Sequence, residues 1–259
     1  MFLRASAAWT CTGYLLTLIS IVFSKFSAAL IAVSFAGAGV ALGQDPLKAY
    51  PNNYKLIFDN ADVSVIRVHY GPHEKVGVHD HSKFPTIYVY LNDAGPVRFS
   101  HDEKPPFVLT RPAVKAGSFR VSPGRVERHT VENLSDGSSE YLRIELKRIP
   151  LHGGLRAYRG AAPATLASGT REEYAGREVS IERIVCDPGA ACAAKSSGTP
   201  VLLVAFSPIK VAVGSRASLA KTLQGGEVEW LPKADGVSIA AATQGAAHLL
   251  EIKFHRPPM

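Results

Sequence analysis

An internal repeat limits the architectures open to this chain of 259 residues. Residues of the second half repeat residues of the first at offsets of 108 to 116 positions, as in the pairs Val63 and Val179, Arg67 and Arg183, and Leu142 and Leu250. In each copy, short segments of alternating polarity are separated by glycine and proline turns, and no long helical periodicity is present. Such patterns are typical of antiparallel barrels and sandwiches, so we predict an all-β chain with two units in tandem.

Two segments of the first copy carry histidines at strand spacing. In residues 77–91, His79 and His81 are two positions apart, so both imidazoles leave the same face of a strand. In residues 117–133, His129 and Asn133 follow a turn marked by Pro123 and also share a face. Three neutral imidazoles on one barrel wall can hold a transition metal and leave coordination positions open for water or substrate.

These segments resemble the two motifs of the cupin family, Gly-x5-His-x-His-x3,4-Glu and Gly-x5-Pro-x-Gly-x2-His-x3-Asn. The resemblance covers residues 69–147 and is carried by His79-x-His81, by Gly117-x5-Pro123 and by His129-x3-Asn133. It implies two cupin barrels in tandem, each a double-stranded β-helix or jelly roll. It also implies a divalent iron, zinc, copper or manganese ion held by the three histidines. The chain departs from the motifs in two places: Thr86 stands where the family has its glutamate, and one extra residue precedes His129.

The missing glutamate leaves two functional hypotheses open, because a metal site there would lose one ligand and one negative charge. Some cupins without this glutamate keep iron on three histidines and oxidise small molecules, so the first hypothesis is a metal-dependent dioxygenase. The alternative is a non-catalytic, metal-free cupin that binds a small molecule. In both cases, we expect the pocket to be lined by Thr86, Tyr88, Tyr90 and Asn133. We expect His101, in the polar segment 92–106, to lie at an exposed hairpin tip.

The second copy lacks the histidines of the first. In the alignment of the two copies, His79, His81 and His129 correspond to Lys195, Ser197 and Ser238. We therefore expect the second barrel to be structural. The predicted boundaries are a signal peptide at 1–43, an N-terminal barrel at 44–150, a linker at 151–172 and a degenerate C-terminal barrel at 173–259.

The first 43 residues are typical of an export signal. They contain no acidic residue and only Arg4 and Lys25 as bases, and Ala41-Leu42-Gly43 provides small residues for cleavage before Gln44. We predict a periplasmic or secreted protein; an uncleaved membrane anchor is the alternative. In an oxidising compartment, Cys186 and Cys192 can form a disulfide across the turn at 187–189, and two free thiols are the other possibility.

The charge distribution argues against nucleic acid as a partner. The chain has 29 basic and 22 acidic residues, but the basic residues are scattered and form no stripe interleaved with aromatic residues. We expect a small-molecule ligand, no nucleic acid, and no membrane contact once the leader is removed. Pairing of two copies into a homodimer through sheet edges is left open by the resemblance.

Overall fold

The computed structural model describes residues 44–149, 155–194, 198–214 and 220–255, and the regular secondary structure of these residues is almost entirely β-strand. A single helical turn, α1 (Pro46–Ala49), precedes the strands, and the Asp45 side chain caps it by accepting from the Leu47 amide. Within these ranges, no helix has the length and apolar character needed to cross a membrane. The predicted signal peptide, residues 1–43, lies outside the described residues.

The first half contains ten strands in two antiparallel sheets. The strands are β1 (Tyr54–Asp59), β2 (Val63–Tyr70), β3 (Lys75–His81), β4 (Thr86–Tyr90), β5 (Val97–His101), β6 (Phe107–Arg111), β7 (Phe119–Ser122), β8 (Glu127–Asn133), β9 (Ser139–Leu146) and β10 (Tyr158–Gly160). The larger sheet has the order β1-β2-β9-β4-β7-β10, and the smaller sheet has the order β3-β8-β5-β6.

The second half repeats this arrangement with nine strands. They are β11 (Gly169–Ala175), β12 (Val179–Cys186), β13 (Ala191–Ala193), β14 (Val201–Ala205), β15 (Ile209–Val213), β16 (Lys221–Leu223), β17 (Val228–Leu231), β18 (Val237–Ala241) and β19 (Ala247–Phe254). The sheets have the orders β11-β12-β19-β14-β17 and β13-β18-β15-β16. The predicted fold class, two β-barrels in tandem, is confirmed. The segment 151–172, predicted as a linker, contains β10 and the first residues of β11, so strands continue through it.

The larger sheets of the two barrels pack against each other through their apolar faces. One hydrophobic cluster combines Ile87, Leu142 and Ile144 of the first half with Leu202 and Leu250 of the second, all fully buried. Alternate residues of the same strands face the barrel interiors. Strands buried on both faces lose the polar alternation of a half-exposed sheet, and all five residues of β4 are indeed buried.

The interiors of the two barrels differ in chemistry. The interior of the first barrel is rich in tyrosine, with Tyr54, Tyr70, Tyr88, Tyr90 and Tyr141 in one cluster. The corresponding cluster of the second barrel is aliphatic, apart from the buried Cys186; its members include Ile184, Leu203, Ile209, Ile239 and Leu249. Hydroxyl groups therefore line the first interior, while hydrocarbon fills the second.

The register of β18 corrects one correspondence between the copies. Ser238, aligned with His129 by sequence, is exposed, whereas its neighbours Val237 and Ile239 are buried in the aliphatic cluster. A shift of one residue along a strand moves a side chain to the other face. The inward position is thus aliphatic. Lys195 and Ser197, the other two aligned residues, lie outside the described ranges.

A disulfide closes the start of the smaller sheet in the second barrel. Cys186, the last residue of β12, is bonded to Cys192 in β13, with their Cα atoms 5.8 Å apart. The predicted disulfide is confirmed, and it ties the two sheets of the second barrel together.

Candidate metal site and cavity

The structure brings together the three histidines of the two motifs. Strands β3 and β8 are antiparallel neighbours, and His79 lies directly opposite His129 in their register. The Nε2 atoms of His79 and His81 are 3.1 Å apart, and one nitrogen from each of the three rings lies within 4.8 Å of the others. Three nitrogens at this separation can bind one ion.

Hydrogen bonds fix the orientation of the His79 ring. Its Nδ1 lies 2.8 Å from the Gly77 carbonyl oxygen, which can only accept, so Nδ1 carries the proton and Nε2 has the free lone pair. The Tyr54 hydroxyl donates to this Nε2 at 2.8 Å. Tyr54 is joined in turn to Tyr70 (2.7 Å) and Tyr70 to Tyr141 (3.1 Å) through their hydroxyls. A carbonyl partner on the far nitrogen is the usual arrangement around a histidine that binds a metal.

His129 has two buried ring nitrogens without a hydrogen-bond partner in the described part of the chain. Buried polar atoms are rarely left in this state, so each such pair of atoms needs an explanation. Burial, followed by the proximity of His79, lowers the pKa of His129 to about 3. Burial, followed by the positive charge of Arg143, also holds the pKa of His81 well below its usual value. Neutral imidazoles with free nitrogens fit a divalent transition metal.

A fourth histidine, His101, lies beside these three, and our expectation of an exposed hairpin tip was wrong. His101 is 4% exposed, is stacked on Phe107 at 4.3 Å between ring centroids, and faces His129 at 4.9 Å. Its Nε2 accepts from Arg125 at 2.9 Å. The missed signal is the alternation of Val97, Phe99 and His101 along β5, which places all three on one face.

The histidines open onto a cavity in the first barrel. It has a volume of about 110 Å³ and is lined by His81, His101 and His129 together with Tyr88 and Tyr90. The two tyrosines are therefore where the strand phase predicted. The Tyr88 hydroxyl accepts from Nη1 of Arg143 at 2.9 Å, which fixes the direction of the phenol ring.

Two residues predicted for the pocket lie elsewhere. Asn133 is fully buried, but its amide donates to the carbonyls of Gly71 (2.7 Å) and Gly137 (2.8 Å), so it joins two turns at the end of the barrel. The Thr86 hydroxyl donates to the Phe84 carbonyl at 2.9 Å and takes no part in the cavity lining. The alternation of side chains along a strand predicts which face of the sheet a residue is on, but not how far along the barrel axis it lies. Thr86 and Asn133 were wrongly placed in the pocket for this reason.

The cavity contains one acidic residue that the sequence did not single out. Glu127 lies opposite His81 in the register and accepts from Arg143 at 3.0 Å. Burial opposes ionisation of this carboxyl group, but Arg143, His129 and Arg125 outweigh burial and lower the pKa of Glu127 to about 2. A second carboxylate, Glu145, accepts from Nε of Arg143 at 2.9 Å. Arg143 is therefore neutralised within the protein.

Comparisons with known proteins give structural neighbours and no sequence relative. No family model matches the chain, and no curated protein is similar to it in sequence. The bacterial pirin YhhW from Escherichia coli, solved in complex with nickel(II), is 13% identical with a TM-score of 0.56 over 80% of this chain and 91% of its own. AerE from Microcystis aeruginosa is 11% identical with a TM-score of 0.53, over 78% of this chain and 97% of its own.

A third neighbour is the oxalate decarboxylase of Bacillus subtilis, a protein with Mn(II) centres. It is 14% identical to this chain, with a TM-score of 0.50 over 77% of this chain and 71% of its own. At identities this low, the likeness establishes the fold alone. Together with the strand order and the two motifs, it shows that this chain has the cupin fold, in two barrels.

Proposed function

We propose that the first barrel binds a divalent transition metal through His79, His81 and His129 and acts on a small molecule in the adjoining cavity, as a dioxygenase. The observation that carries this proposal is the convergence of three histidine nitrogens within 4.8 Å. The unprotonated Nε2 of His79, which now accepts from Tyr54, and the two unpartnered nitrogens of His129 support it. The nickel(II) and Mn(II) named for two structural neighbours are consistent with a metal in this fold.

In the proposed function, the residues around the histidines have separate roles in binding the small molecule. A bound iron, copper or manganese ion would supply oxygen chemistry, and zinc would supply Lewis acidity. Tyr88, held by Arg143, presents a fixed hydroxyl to a ligand in the cavity. His101 has its Nδ1 3.3 Å from Glu103 and lies against His129, so it can hold a proton at the cavity wall. Phe99 and Leu109 make part of the wall apolar.

The non-catalytic, metal-free cupin is kept as a second candidate because of one specific observation. Thr86 stands in place of the family glutamate, and its hydroxyl bonds to the Phe84 carbonyl. The carboxylate that lies in the cavity lining, Glu127, is already paired with Arg143. A metal on these histidines would thus lack an uncommitted anionic ligand, and its affinity would be lower than in a site with a free carboxylate. Export to the periplasm or medium is a further proposal, which rests on residues 1–43 alone.

Metal analysis of purified protein tests the proposal. The protein is dialysed against iron, zinc, copper and manganese in turn, and bound metal is measured by elemental analysis. We expect one equivalent per chain for at least one metal, and we expect His81→Ala and His129→Ala to lose it, because two imidazoles compete poorly with water and buffer. His69→Ala is the matched control, since His69 lies exposed on β2 of the same barrel. Wild-type protein that stays metal-free with all four metals would refute the proposal and favour the non-catalytic, metal-free cupin that binds a small molecule.

A further inference from the structure

Three arginines and one tyrosine form a row across the large sheet of the first barrel, on its cavity side. In the register of four adjacent strands, Arg143 on β9 pairs with Tyr88 on β4, Tyr88 with Arg120 on β7, and Arg120 with Arg159 on β10. All four side chains line the cavity that contains His81 and His129. The Arg120 guanidinium lies over the Tyr88 ring, 4.2 Å from its centroid, at a distance where the cation and the ring attract each other.

The members of this row differ in how their charge is balanced. Arg143 is paired with Glu127 at 3.0 Å and with Glu145 at 2.9 Å. Arg120 and Arg159 lie directly opposite each other in the register. Among the described residues, no carboxylate lies within ion-pair distance of either guanidinium group, in contrast to Arg143. The Nε of Arg120 is buried without a partner. Like charges facing each other across a strand pair destabilise a sheet unless an anion lies between them.

A third arginine without an acidic partner approaches the cavity from the smaller sheet. Arg111, at the end of β6, is 6% exposed and lies over the Tyr90 ring at 5.0 Å. Its Nη2 donates to the Ser139 hydroxyl at 3.0 Å, but its Nε and Nη1 have no partner in the ranges the structure covers. Buried guanidinium groups are normally paired, because removing an uncompensated charge from water is costly.

The charge of the cavity lining is therefore strongly positive. It contains five arginines and, among the described residues, one carboxylate, Glu127, which Arg143 and Arg125 already share. Phe99 and Leu109 add an apolar wall to the same cavity. A bound anion with an apolar body would complement both surfaces. Inorganic anions would satisfy the charge and leave the apolar wall against water.

We propose that the cavity binds an organic carboxylate, whose anionic group is held by Arg120 and Arg159 and whose apolar body lies against Phe99 and Leu109. The proposed carboxylate is a substrate class for the proposed function. The assignment rests on that function in one respect: the cavity beside the histidines must be the functional site. A planar carboxylate matches the fork of a guanidinium group and takes two parallel hydrogen bonds from it. Arg111 contributes positive potential from the facing sheet.

Calorimetric titration with paired probes tests the assignment. Hexanoate and benzoate are compared with hexanamide and benzamide, which have nearly the same shape and no charge, on metal-free protein and again on metal-loaded protein. We expect a carboxylate to bind and its amide to bind at least about tenfold more weakly, since a hydrogen bond to a charged group is worth more than its neutral counterpart. Arg120→Gln and Arg159→Gln should each weaken carboxylate binding about tenfold or more. Arg159 is exposed at the sheet edge, so its variant remains informative if Arg120→Gln folds poorly.

The control is Arg98→Gln, because Arg98 is an exposed arginine on the outer face of β5 in the same barrel. Equal binding of acid and amide, an Arg98→Gln defect as large as that of Arg120→Gln, or no binding of either acid would overturn the inference. Inorganic phosphate that binds more tightly than both acids would overturn the carboxylate assignment in favour of a phosphate ester. Metal uptake is measured on the same preparations: protein that binds the carboxylates but takes up no metal on dialysis refutes the metal proposal alone, and protein that takes up metal but binds no carboxylate refutes this inference alone.

Discussion

Around His79, the hydroxyl of a tyrosine occupies the direction in which a metal would bind. Nδ1 is committed to the Gly77 carbonyl, and Nε2 accepts from Tyr54, which is 1% exposed and lies at the end of the row formed with Tyr70 and Tyr141. Burial, followed by the proximity of Tyr141, raises the pKa of Tyr54 well above its usual value. A neutral phenol that donates to Nε2 competes with a metal for the same lone pair.

Replacing this hydroxyl should therefore tighten metal binding. In wild-type protein, the ion must displace the hydrogen bond from Tyr54 to Nε2 of His79, and such a bond stabilises a protein by about 0.5–1.5 kcal/mol. In Tyr54→Phe, this bond is absent and metal binding no longer has to break it. We expect the dissociation constant for zinc to fall by up to about tenfold, measured by competition with a chromophoric chelator. Tyr158→Phe is the control, since Tyr158 packs on Phe119 and Tyr174, away from the histidines. An affinity that drops instead would identify the Tyr54 oxygen as a metal ligand.

Single residues were predictable where strand phase and motif agreed. His79, His81 and His129 converge, and Tyr88 and Tyr90 line the cavity, because alternate residues of a strand share a face. The arginine row was not predictable in this way. Arg143, Arg120 and Arg159 are brought into one row by the pairing of β9, β4, β7 and β10, and that pairing joins residues far apart in the chain.

Among the elements, the turn before β8 controls the position of the histidine-bearing segment. Gly124 in this turn has a φ of +84°, a backbone conformation that residues with a Cβ atom rarely adopt. A Cβ atom there would lie 2.6 Å from the Lys83 carbonyl oxygen and 2.6 Å from the Pro85 nitrogen. The turn thus packs directly against the backbone that follows His81 and leads into β4.

Adding one methyl group at this turn should loosen the site as well as the fold. We expect Gly124→Ala to lower the free energy of unfolding by about 1–3 kcal/mol, from the positive φ together with the backbone clash. Metal affinity should fall in parallel, because the segment after His81 must move. Gly137→Ala is the matched control: Gly137 also lies in a turn of the first barrel, and no heavy atom approaches its Cβ position within 4 Å. Equal urea unfolding curves for the two variants would refute this account of the turn.

The strands were predictable to the extent that their polarity alternates. A strand was expected within residues 77–91, where β4 spans Thr86–Tyr90, whereas β5 lies in the polar segment 92–106, where an exposed hairpin tip was expected. The reason is that β5 and β6 form one end of the smaller sheet, where outward residues such as Arg98 are charged and only the inward face is apolar. Charged outward residues are typical of sheet edges, and they mask the alternation.

For the whole molecule, the contact between the barrels is a shared core and not a surface contact. Trp230 of the second barrel stacks on Phe58 of the first at 6.2 Å, and Nη2 of Arg183 donates to the Gly117 carbonyl at 2.8 Å across the boundary. The repeat predicted two barrels. It could not predict which faces meet, because inward and outward residues of the large sheets are buried alike, as along the whole of β12.

A shared core implies that an ion bound in the first barrel stabilises the second. At a free metal concentration one hundred times the dissociation constant, binding to the folded state alone adds about 2.7 kcal/mol to the free energy of unfolding. Trp230 is the one tryptophan outside residues 1–43 and stacks on Phe58 across the boundary, so its fluorescence reports on the second barrel and its contact with the first. The near-ultraviolet signal of the tyrosine-rich interior reports on the first barrel. We expect metal to shift both unfolding curves together, by the same amount, with His69→Ala behaving as wild type and His81→Ala showing no shift. A metal-induced shift confined to the tyrosine signal would mean that the barrels unfold independently, in spite of the core they share.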